Sequence, residues 1–340
     1  MATPCHFTVP PAAVDQRLDQ FLTASLPELT RSRIKRLIDS GAVTCGGRAV
    51  KAGLKLLGGE PIVVMLDEPT PLETAAEDIP LPILYEDAAL VVIDKPAGMV
   101  VHPAPGHGQG TLVNALLHHC RDLSGIGGEL RPGIVHRLDK GTSGVMVATK
   151  DDRTHQALAR QFKAHTIQRR YRALVHGQVQ NSQGTIDRPI GRHPVHRKKM
   201  SSQSRAGRRA VTHWQVLRRY DRERLTLLDL TLETGRTHQI RVHFAEMNLP
   251  LVGDPLYGNP GKARAIGNPE VRRLIEQLDR QFLHAWLLGL QHPDGRNLEF
   301  HSPLPTDLQQ IIDLLEAGYG TDAMELAIPP SPALPAGANG

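Results

Sequence analysis

One acidic side chain, Asp139, lies between Arg137 and Lys140 in the run Gly133-Ile-Val-His-Arg-Leu-Asp-Lys-Gly-Thr-Ser-Gly144, a turn closed by glycines. Positive neighbours favour the charged form of a carboxylate. The turn opens into an apolar strand, Val145-Met-Val-Ala148, so an ionised Asp139 would stand at a strand end, where it can serve as nucleophile or base on a bound ligand. The same residues also fit a surface ion pair beside a turn, which does little. Spacing alone leaves both readings open.

Other chemistry-bearing residues narrow the field. The three cysteines, Cys5, Cys45 and Cys120, are odd in number, far apart and outside any CxxC pattern, which argues against a disulfide framework and a cysteine zinc site. Seventeen histidines suggest a metal at first sight. His118-His119 and the His238/His243 pair, however, lack the spacing of a closed coordination shell, and no metal is expected. No GxGxxG or P-loop signature occurs.

Net charge is +5, and its distribution says more than its size. Residues 31–55 hold seven Lys/Arg, among them Arg31, Arg33, Lys35 and Arg36, against the single acid Asp39. Residues 188–209 hold eight, among them Arg197, Lys198 and Lys199, and no acid, so the rest of the chain carries −9. Two concentrated basic blocks on an otherwise acidic chain are the footprint of a polyanion binder. A solvated charged face fits less well, because ordinary surfaces mix the two signs. Aromatic content of 4% argues against a broad base-stacking platform of the single-strand-binding kind.

The string His136-Arg-Leu-Asp-Lys-Gly-Thr-Ser-Gly144 resembles the signature of the RluA-type family of RNA pseudouridine synthases, whose nucleophilic aspartate is the Asp of that string. Further likenesses follow in order: Ile83-Leu-Tyr-Glu-Asp87, Asp94-Lys-Pro-Ala-Gly98, Val101-His-Pro-Ala-Pro-Gly106, Leu232-Glu-Thr-Gly-Arg-Thr-His-Gln-Ile-Arg-Val-His243 and Leu251-Val-Gly-Asp-Pro-Leu-Tyr-Gly258. They resemble most the RluD subgroup, which modifies large-subunit ribosomal RNA. Gly141 departs from the family, where Asp is usual; a change in the turn is expected rather than in the chemistry.

The resemblance implies a cofactor-independent isomerase that detaches uracil from ribose, turns it and rejoins it through carbon. The target base is flipped out of its stack. Asp139 would attack either the ribose anomeric carbon or the uracil ring. Arg241 would be its fixed cationic partner, with Arg236 as second candidate. Tyr171, in Arg169-Arg-Tyr-Arg-Ala-Leu174, would stack on the uracil and assist the closing proton transfer. Arg137 would fill the space the base vacates, with His136 beside it among the RNA-contacting residues. Two rivals are a non-catalytic RNA-binding or ribosome-assembly factor and a hydrolytic enzyme on nucleic acid. The first needs only the basic blocks; the second would show clustered carboxylates for a divalent metal or a His/Lys pair, and neither stands near Asp139.

These residues need elements to position them. In residues 14–26, Leu18, Phe21, Leu22 and Leu26 recur at helical spacing, and Thr30 can cap a second helix that buries Ile34, Leu37 and Ile38 and stops at Gly41. Short strands follow, from 42–45 through a Gly46-Gly47 turn to 61–66. Two helices and short strands resemble the small RNA-binding domain first known from ribosomal protein S-four, here over residues 1–66. Residues 67–82, with five acids, four prolines and no basic residue, read as a solvated, stiffened linker and flexible tether. Residues 83–319 mix strand-like runs (90–93, 145–149, 225–232, 285–290) with helical ones (112–119, 152–165, 270–278, 308–315) without regular alternation, which predicts an α+β catalytic domain on a largely antiparallel mixed sheet. Thr237 can cap a helix that carries Arg241 on its first or second turn and turns Ile240 and Phe244 to the core. The last twenty or so residues, rich in Pro and Gly, are expected to be disordered. With no run of eighteen apolar residues and no secretory leader, a cytoplasmic, monomeric protein with ribosomal RNA as partner and no membrane contact is expected.

Overall fold

The structure is a computed structural model. It describes residues 3–26, 29, 31–66, 75–103, 108–120, 123, 132–196, 198–204 and 206–319, with the side chains of 31–33 left out. The expected cap at Thr30, the first half of the expected linker, the expected disordered tail and Arg197 lie outside the described residues, as do the side chains of Arg31 and Arg33. The chain forms two compact units, residues 1–73 and 74–340.

The first unit comprises β1 (Thr3–Thr8), α1 (Leu18–Ser25), α2 (Arg31–Asp39), β2 (Val43–Cys45), β3 (Arg48–Ala49) and β4 (Pro61–Leu66), with the strands ordered β1-β4-β2-β3. Leu18, Phe21 and Leu22 of α1 pack with Ile34, Leu37 and Ile38 of α2 and with Val43, Ile62 and Val64 from the sheet. Because those three positions of α2 point inward, Lys35 and Arg36 are exposed, as helical spacing demands. Two details differ from the sequence reading. Helix α1 begins at Leu18 rather than near Val14, because the chain first makes a 3-10 turn at Pro11–Ala13 and then takes a positive φ of 63° at Asp15. The N-terminal strand β1 was not anticipated; it pairs antiparallel with β4 over six residues.

In the second unit, β5 (Ile83–Glu86), β6 (Leu90–Lys95), α3 (Leu112–His119), β7 (Ser143–Thr149), α4 (Asp152–Ala164), β8 (Gln168–His176), β9 (Gln183–Asp187), β10 (Gly191–Arg192), β11 (Met200–Ser201), β12 (Val211–Tyr220), β13 (Leu225–Leu232), α5 (Gln239–Glu246), α6 (Pro260–Arg264), α7 (Pro269–Gln277), β14 (Leu283–Gln291), β15 (Asn297–His301) and α8 (Thr306–Ala317) follow in order. The main sheet runs β5-β6-β7-β14-β8-β13-β12-β9, with β15 added to β14. Among the described residues every pair in it is antiparallel except β14 with β7. The mixed, largely antiparallel α+β sheet is thus as the sequence reading had it.

Strands β6 and β7 are apolar on both faces, and the reason is alternation. Val91, Ile93, Met146 and Ala148 face one core with Leu112 and Leu116 of α3 and Ile240 and Phe244 of α5. Leu90, Val92, Val145 and Val147 face the other with Leu158 of α4. Tyr171, Ala173 and Val175 of β8 share the first face. Residues 75–82, expected as tether, belong to this unit: Ala75 O accepts from Asn114 Nδ2 at 2.7 Å, Glu77 N donates to Asn114 O at 3.0 Å, and Leu81 packs on the core. Composition misses this, because acids and prolines can still dock through their backbone. No helix among the described residues is long and apolar enough to cross a membrane.

Candidate active site

Asp139 sits in the turn before β7, and the peptides that follow it are tied down from several sides. Thr142 N donates to Asp139 O at 3.0 Å, and the Lys140 carbonyl accepts from Gly98 N at 2.8 Å and from Lys95 Nζ at 3.4 Å. From the opposite direction Arg280 Nη1 donates to Gly141 O at 3.2 Å and Gln281 Nε2 donates to Thr142 Oγ1 at 2.8 Å. Lys95 has no exposed surface and also donates to Pro96 O and Met99 O at 2.7 and 3.0 Å. Burial pushes its ammonium down to about 7, against the pull of Asp139. Gly144 is required where the turn enters the sheet: its φ is +115°, and a Cβ there would stand 2.1 Å from Ala285 O of the parallel neighbour. At Gly141, the departure from the family pattern, a Cβ would meet Gln281 Oε1 at 2.7 Å; the side chain of Gln281 occupies the space a larger residue would need.

Arg241 reaches this carboxylate from α5. Its Nη1 donates to Asp139 Oδ2 at 3.1 Å, while Nε and Nη2 form a two-pronged pair with Asp254 at 2.7 and 2.9 Å. Asp254 also accepts from the backbone N–H groups of Leu256 and Tyr257, both at 2.9 Å, and its side chain has no exposed surface. The Tyr257 ring centre lies 5.2 Å from the guanidinium carbon, within cation–π range. Burial works against the Arg241 charge, but Asp254 and then Asp139 outweigh it and raise its pKa. Asp254 is shifted downward despite burial, chiefly by its bonds to Arg241. The guanidinium is thus fixed by one carboxylate and offers its remaining edge to the other, the preorganised geometry that electrostatic catalysis requires.

The start of α5 differs from the sequence reading. Thr237 does not cap it; the N-cap position is His238, in a left-handed conformation (φ 57°, ψ 21°) without a side-chain cap. Gln239 holds this corner instead: Oε1 accepts from Thr234 Oγ1 and Arg236 N at 2.8 and 3.0 Å, and Nε2 donates to Val211 O and Thr212 Oγ1 at 2.9 and 3.0 Å. Arg241 falls in the first turn, and Ile240 and Phe244 are buried as expected.

Tyr171 is opposite. Gly144, Ala285, Tyr171 and Leu230 are paired in register across β7, β14, β8 and β13, so the small residues on one side leave space beside the ring. Burial raises the phenol pKa, so it stays protonated. Asp139, Tyr171, Arg241 and Arg137 line one pocket of about 60 Å³, room for only a water or two at ~30 Å³ each. Asp139, Arg137, His238 and Arg241 also line a cleft of about 780 Å³, which is large enough for a nucleotide.

The remaining candidates fall in three places. Arg137 is exposed and borders both spaces and a further cleft of about 500 Å³ that carries Lys163, Arg169, Arg208 and Arg236 and no acid. His136 is neutral, its pKa pushed down to about 3 by burial and then Arg169; its Nε2 accepts from Val147 N at 3.1 Å and its ring stacks on Phe162 at 4.8 Å. That ring also borders the basic cleft. Lys198 and Lys199 lie in the turn between β10 and β11, Lys198 exposed and Lys199 with Nζ 5.7 Å from the Tyr257 ring centre. Lys35 and Arg36 belong to the first unit. Arg236 also lines the Asp139 pocket, but its Nε donates to Arg209 O at 3.0 Å.

Three site residues, Asp254, Tyr257 and His238, carried no role in the sequence reading, although all lie inside the quoted motifs. A carboxylate that fixes an arginine leaves no mark beyond its own identity. One group among the described residues could hold a metal, Glu86, His119 and Cys120, with donor atoms within 4.8 Å of one another. Glu86 is already bonded to His119 at 2.7 Å and Lys150 at 3.1 Å, and none of the three borders the Asp139 pocket.

A clamped aspartate at a strand end shares its pocket with a buried tyrosine and borders a cleft that also carries Arg137, Lys140, Arg241 and Arg280, an arrangement that fits a class of enzyme acting covalently on an anionic substrate. Comparison with known proteins gives the class its name. The model of the RNA pseudouridylate synthase family matches residues 89–246, and that of the S4 domain matches residues 16–62. The chain is 45% identical over 301 residues to the uncharacterized RNA pseudouridine synthase YlyB of Bacillus subtilis, covering 88% of this chain and 94% of that protein. It is 43% identical over 301 residues to ribosomal large subunit pseudouridine synthase D of Pseudomonas aeruginosa, covering 88% and 92%. The solved human RNA pseudouridylate synthase domain containing 4 matches with a TM-score of 0.51 and 27% identity, over 69% of this chain and 92% of that one. The chain belongs to the RNA pseudouridylate synthase family: it is an isomerase that acts on RNA and carries an N-terminal S4 domain.

Proposed function

We propose that this enzyme converts specific uridines of large-subunit ribosomal RNA, free or within an assembling particle, to pseudouridine with Asp139 as nucleophile. The observation that carries the mechanism is the 3.1 Å pair between Asp139 and an Arg241 held from behind by Asp254. The ribosomal substrate is inferred from relatives named ribosomal large subunit pseudouridine synthase D, 41–44% identical over most of the chain.

The target uridine leaves its stack and enters the cleft beside Asp139, while Arg137 takes the vacated position and the Lys/Arg of the two basic blocks hold phosphates. Asp139 bonds to the nucleoside as the bond between uracil and ribose breaks. Tyr171 lies against the turning ring, and in the closing step its phenol oxygen takes the proton from carbon as its own O–H proton passes to water, which completes the product. Arg241 neutralises Asp139 when the carboxylate is released. No redox or nucleotide cofactor takes part, and the enzyme works as a monomer in the cytoplasm.

Asp139→Asn removes the nucleophile and keeps the shape. Turnover should fall at least about 10⁴-fold, as for other lost nucleophiles, with RNA affinity within threefold of wild type. Chemical mapping of pseudouridine in ribosomal RNA from cells carrying the variant measures this, and a normal pseudouridine pattern would remove Asp139 from the mechanism.

A further inference from the structure

The left-handed corner at His238 turns its imidazole into the space beside Asp139. A non-glycine residue in that region is uncommon, and such strain collects at functional sites. Here the four hydrogen bonds of Gln239 hold it. His238 borders both the small pocket and the larger cleft that meet at Asp139.

Its Nδ1 meets the phenol of Tyr257. Tyr257 Oη accepts from Met200 N at 2.8 Å and lies 2.9 Å from His238 Nδ1. A phenol has one hydrogen to give. With Met200 donating to Oη, the arrangement in which the Tyr257 O–H donates to Nδ1 and the imidazole proton sits on Nε2 uses each of these groups once, and it is the tautomer the proposal below takes. That N–H is 4.0 Å from Asp139 Oδ2, beyond hydrogen-bond reach, and so stands beside the place where a nucleoside attached to Asp139 would lie.

We propose that His238 is a catalytic residue whose Nε2–H donates a hydrogen bond to a uracil carbonyl oxygen as the ring separates from ribose. This rests on the isomerase reading above with attack at the anomeric carbon. As an Asp139 oxygen bonds to that carbon, the pair of the breaking C–N bond passes to the ring and spreads onto its carbonyl oxygens. His238 keeps its proton throughout; the pair is used again when ring carbon bonds to the anomeric carbon and Asp139 leaves. A neutral imidazole suits this task, since it donates without exchanging a proton. Burial and then Arg241 and Arg137 keep His238 neutral, against Asp139 and Asp254, and push its pKa below the ordinary value. Tyr257, whose own pKa is raised by burial, remains the donor that fixes the tautomer.

The test is single-turnover conversion of a large-subunit ribosomal RNA transcript, made once with uridine and once with 5-fluorouridine at the target. Fluorine withdraws electrons from the departing ring and lessens its need for a donor. His238→Ala should slow consumption of uridine about 100-fold, the usual loss for one donor to a developing anion, but slow 5-fluorouridine at least fivefold less. His238→Asn retains an N–H and tolerates the left-handed backbone, so it should stay within about tenfold of wild type with unchanged RNA affinity; it also keeps the test alive if the alanine variant folds poorly. Tyr257→Phe frees Nδ1 to take the proton and should lose about tenfold. Equal losses on both substrates, or His238→Ala turning over uridine at the wild-type rate, would overturn the assignment. Asp139→Asn run alongside separates the two ideas: if it is inactive while His238→Ala is normal, only the role of His238 fails, and if it is active, the isomerase mechanism itself fails.

Discussion

Lys95 is the residue whose burial is hardest to reconcile with its chemistry. A lysine with no exposed surface gives up its hydration, and three backbone carbonyls replace only part of it. What it provides is a tie from β6 to the Lys140 carbonyl, one peptide beyond Asp139. The sign of its effect on stability follows from its pKa. With the folded value pushed down to about 7 from 10.5, the unfolded chain holds a proton that the folded chain lacks between those limits. The penalty is full below pH 7 and is relieved as pH rises toward 10. The stability of wild type relative to Lys95→Met should therefore increase with pH across that window, with a slope of up to about 1.4 kcal/mol per pH unit. Denaturant unfolding at pH 6.5, 8 and 9.5 measures the difference; a flat difference would mean that the amine titrates normally. The methionine variant should also lose turnover more than RNA affinity, since it frees the turn and touches no RNA.

At the scale of elements, the meeting of β7 and β14 decides where Asp139 stands. They are parallel, and in register Ser143 and Gly144 lie beside His284 and Ala285, so the chain must leave the catalytic turn with its backbone against its neighbour's. Gly144→Ala would press a Cβ to 2.1 Å from Ala285 O at a φ of +115°. Overpacking and strain together should cost about 3 kcal/mol and lower the melting temperature by roughly 6–12 °C, with activity lost in proportion. A thermal scan showing no change would contradict the close approach. Helix and strand positions were legible because apolar spacing encodes them: 112–119, 225–232 and 308–315 were read nearly to the residue. What spacing does not encode is partnership. Strand order, the parallel pairing of β14 with β7, and the reach of Arg241 to Asp139 are contacts between residues far apart in sequence. The α5 corner was misread because Thr237 has the right type for a cap, whereas the backbone there is set by Gln239 bonding to β12. The acidic stretch 75–82 was misread because docking through backbone groups leaves no trace in composition.

For the whole molecule, the two units divide the work by charge and by core. Among the described residues, the apolar core of the first unit draws on residues up to 66, and those of the second on residues from 81 onward. Every residue of the Asp139 pocket belongs to the second. Removing the first unit takes away the seven Lys/Arg of residues 31–55, including Lys35 and Arg36 exposed on α2, and keeps every described residue that lines the Asp139 pocket. If that helix face binds phosphates, a chain of residues 74–340 should bind ribosomal RNA more weakly at low salt. Residues 1–73 as a whole balance eight Lys/Arg against eight Asp/Glu, so the effect rests on the local block 31–55 with its six net positive charges; the plot of log affinity against log salt should be shallower by up to about 5, at ~0.9 per phosphate neutralised. Single-turnover rate at saturating RNA should stay within a few-fold of the full chain, because neither Asp139 nor Arg241 loses a partner. A salt titration of both chains, read with turnover at saturation, separates the contributions. An unchanged slope would place the S4 unit outside RNA recognition, whereas a collapse of the saturated rate would mean that it organises the reacting base as well as the strand.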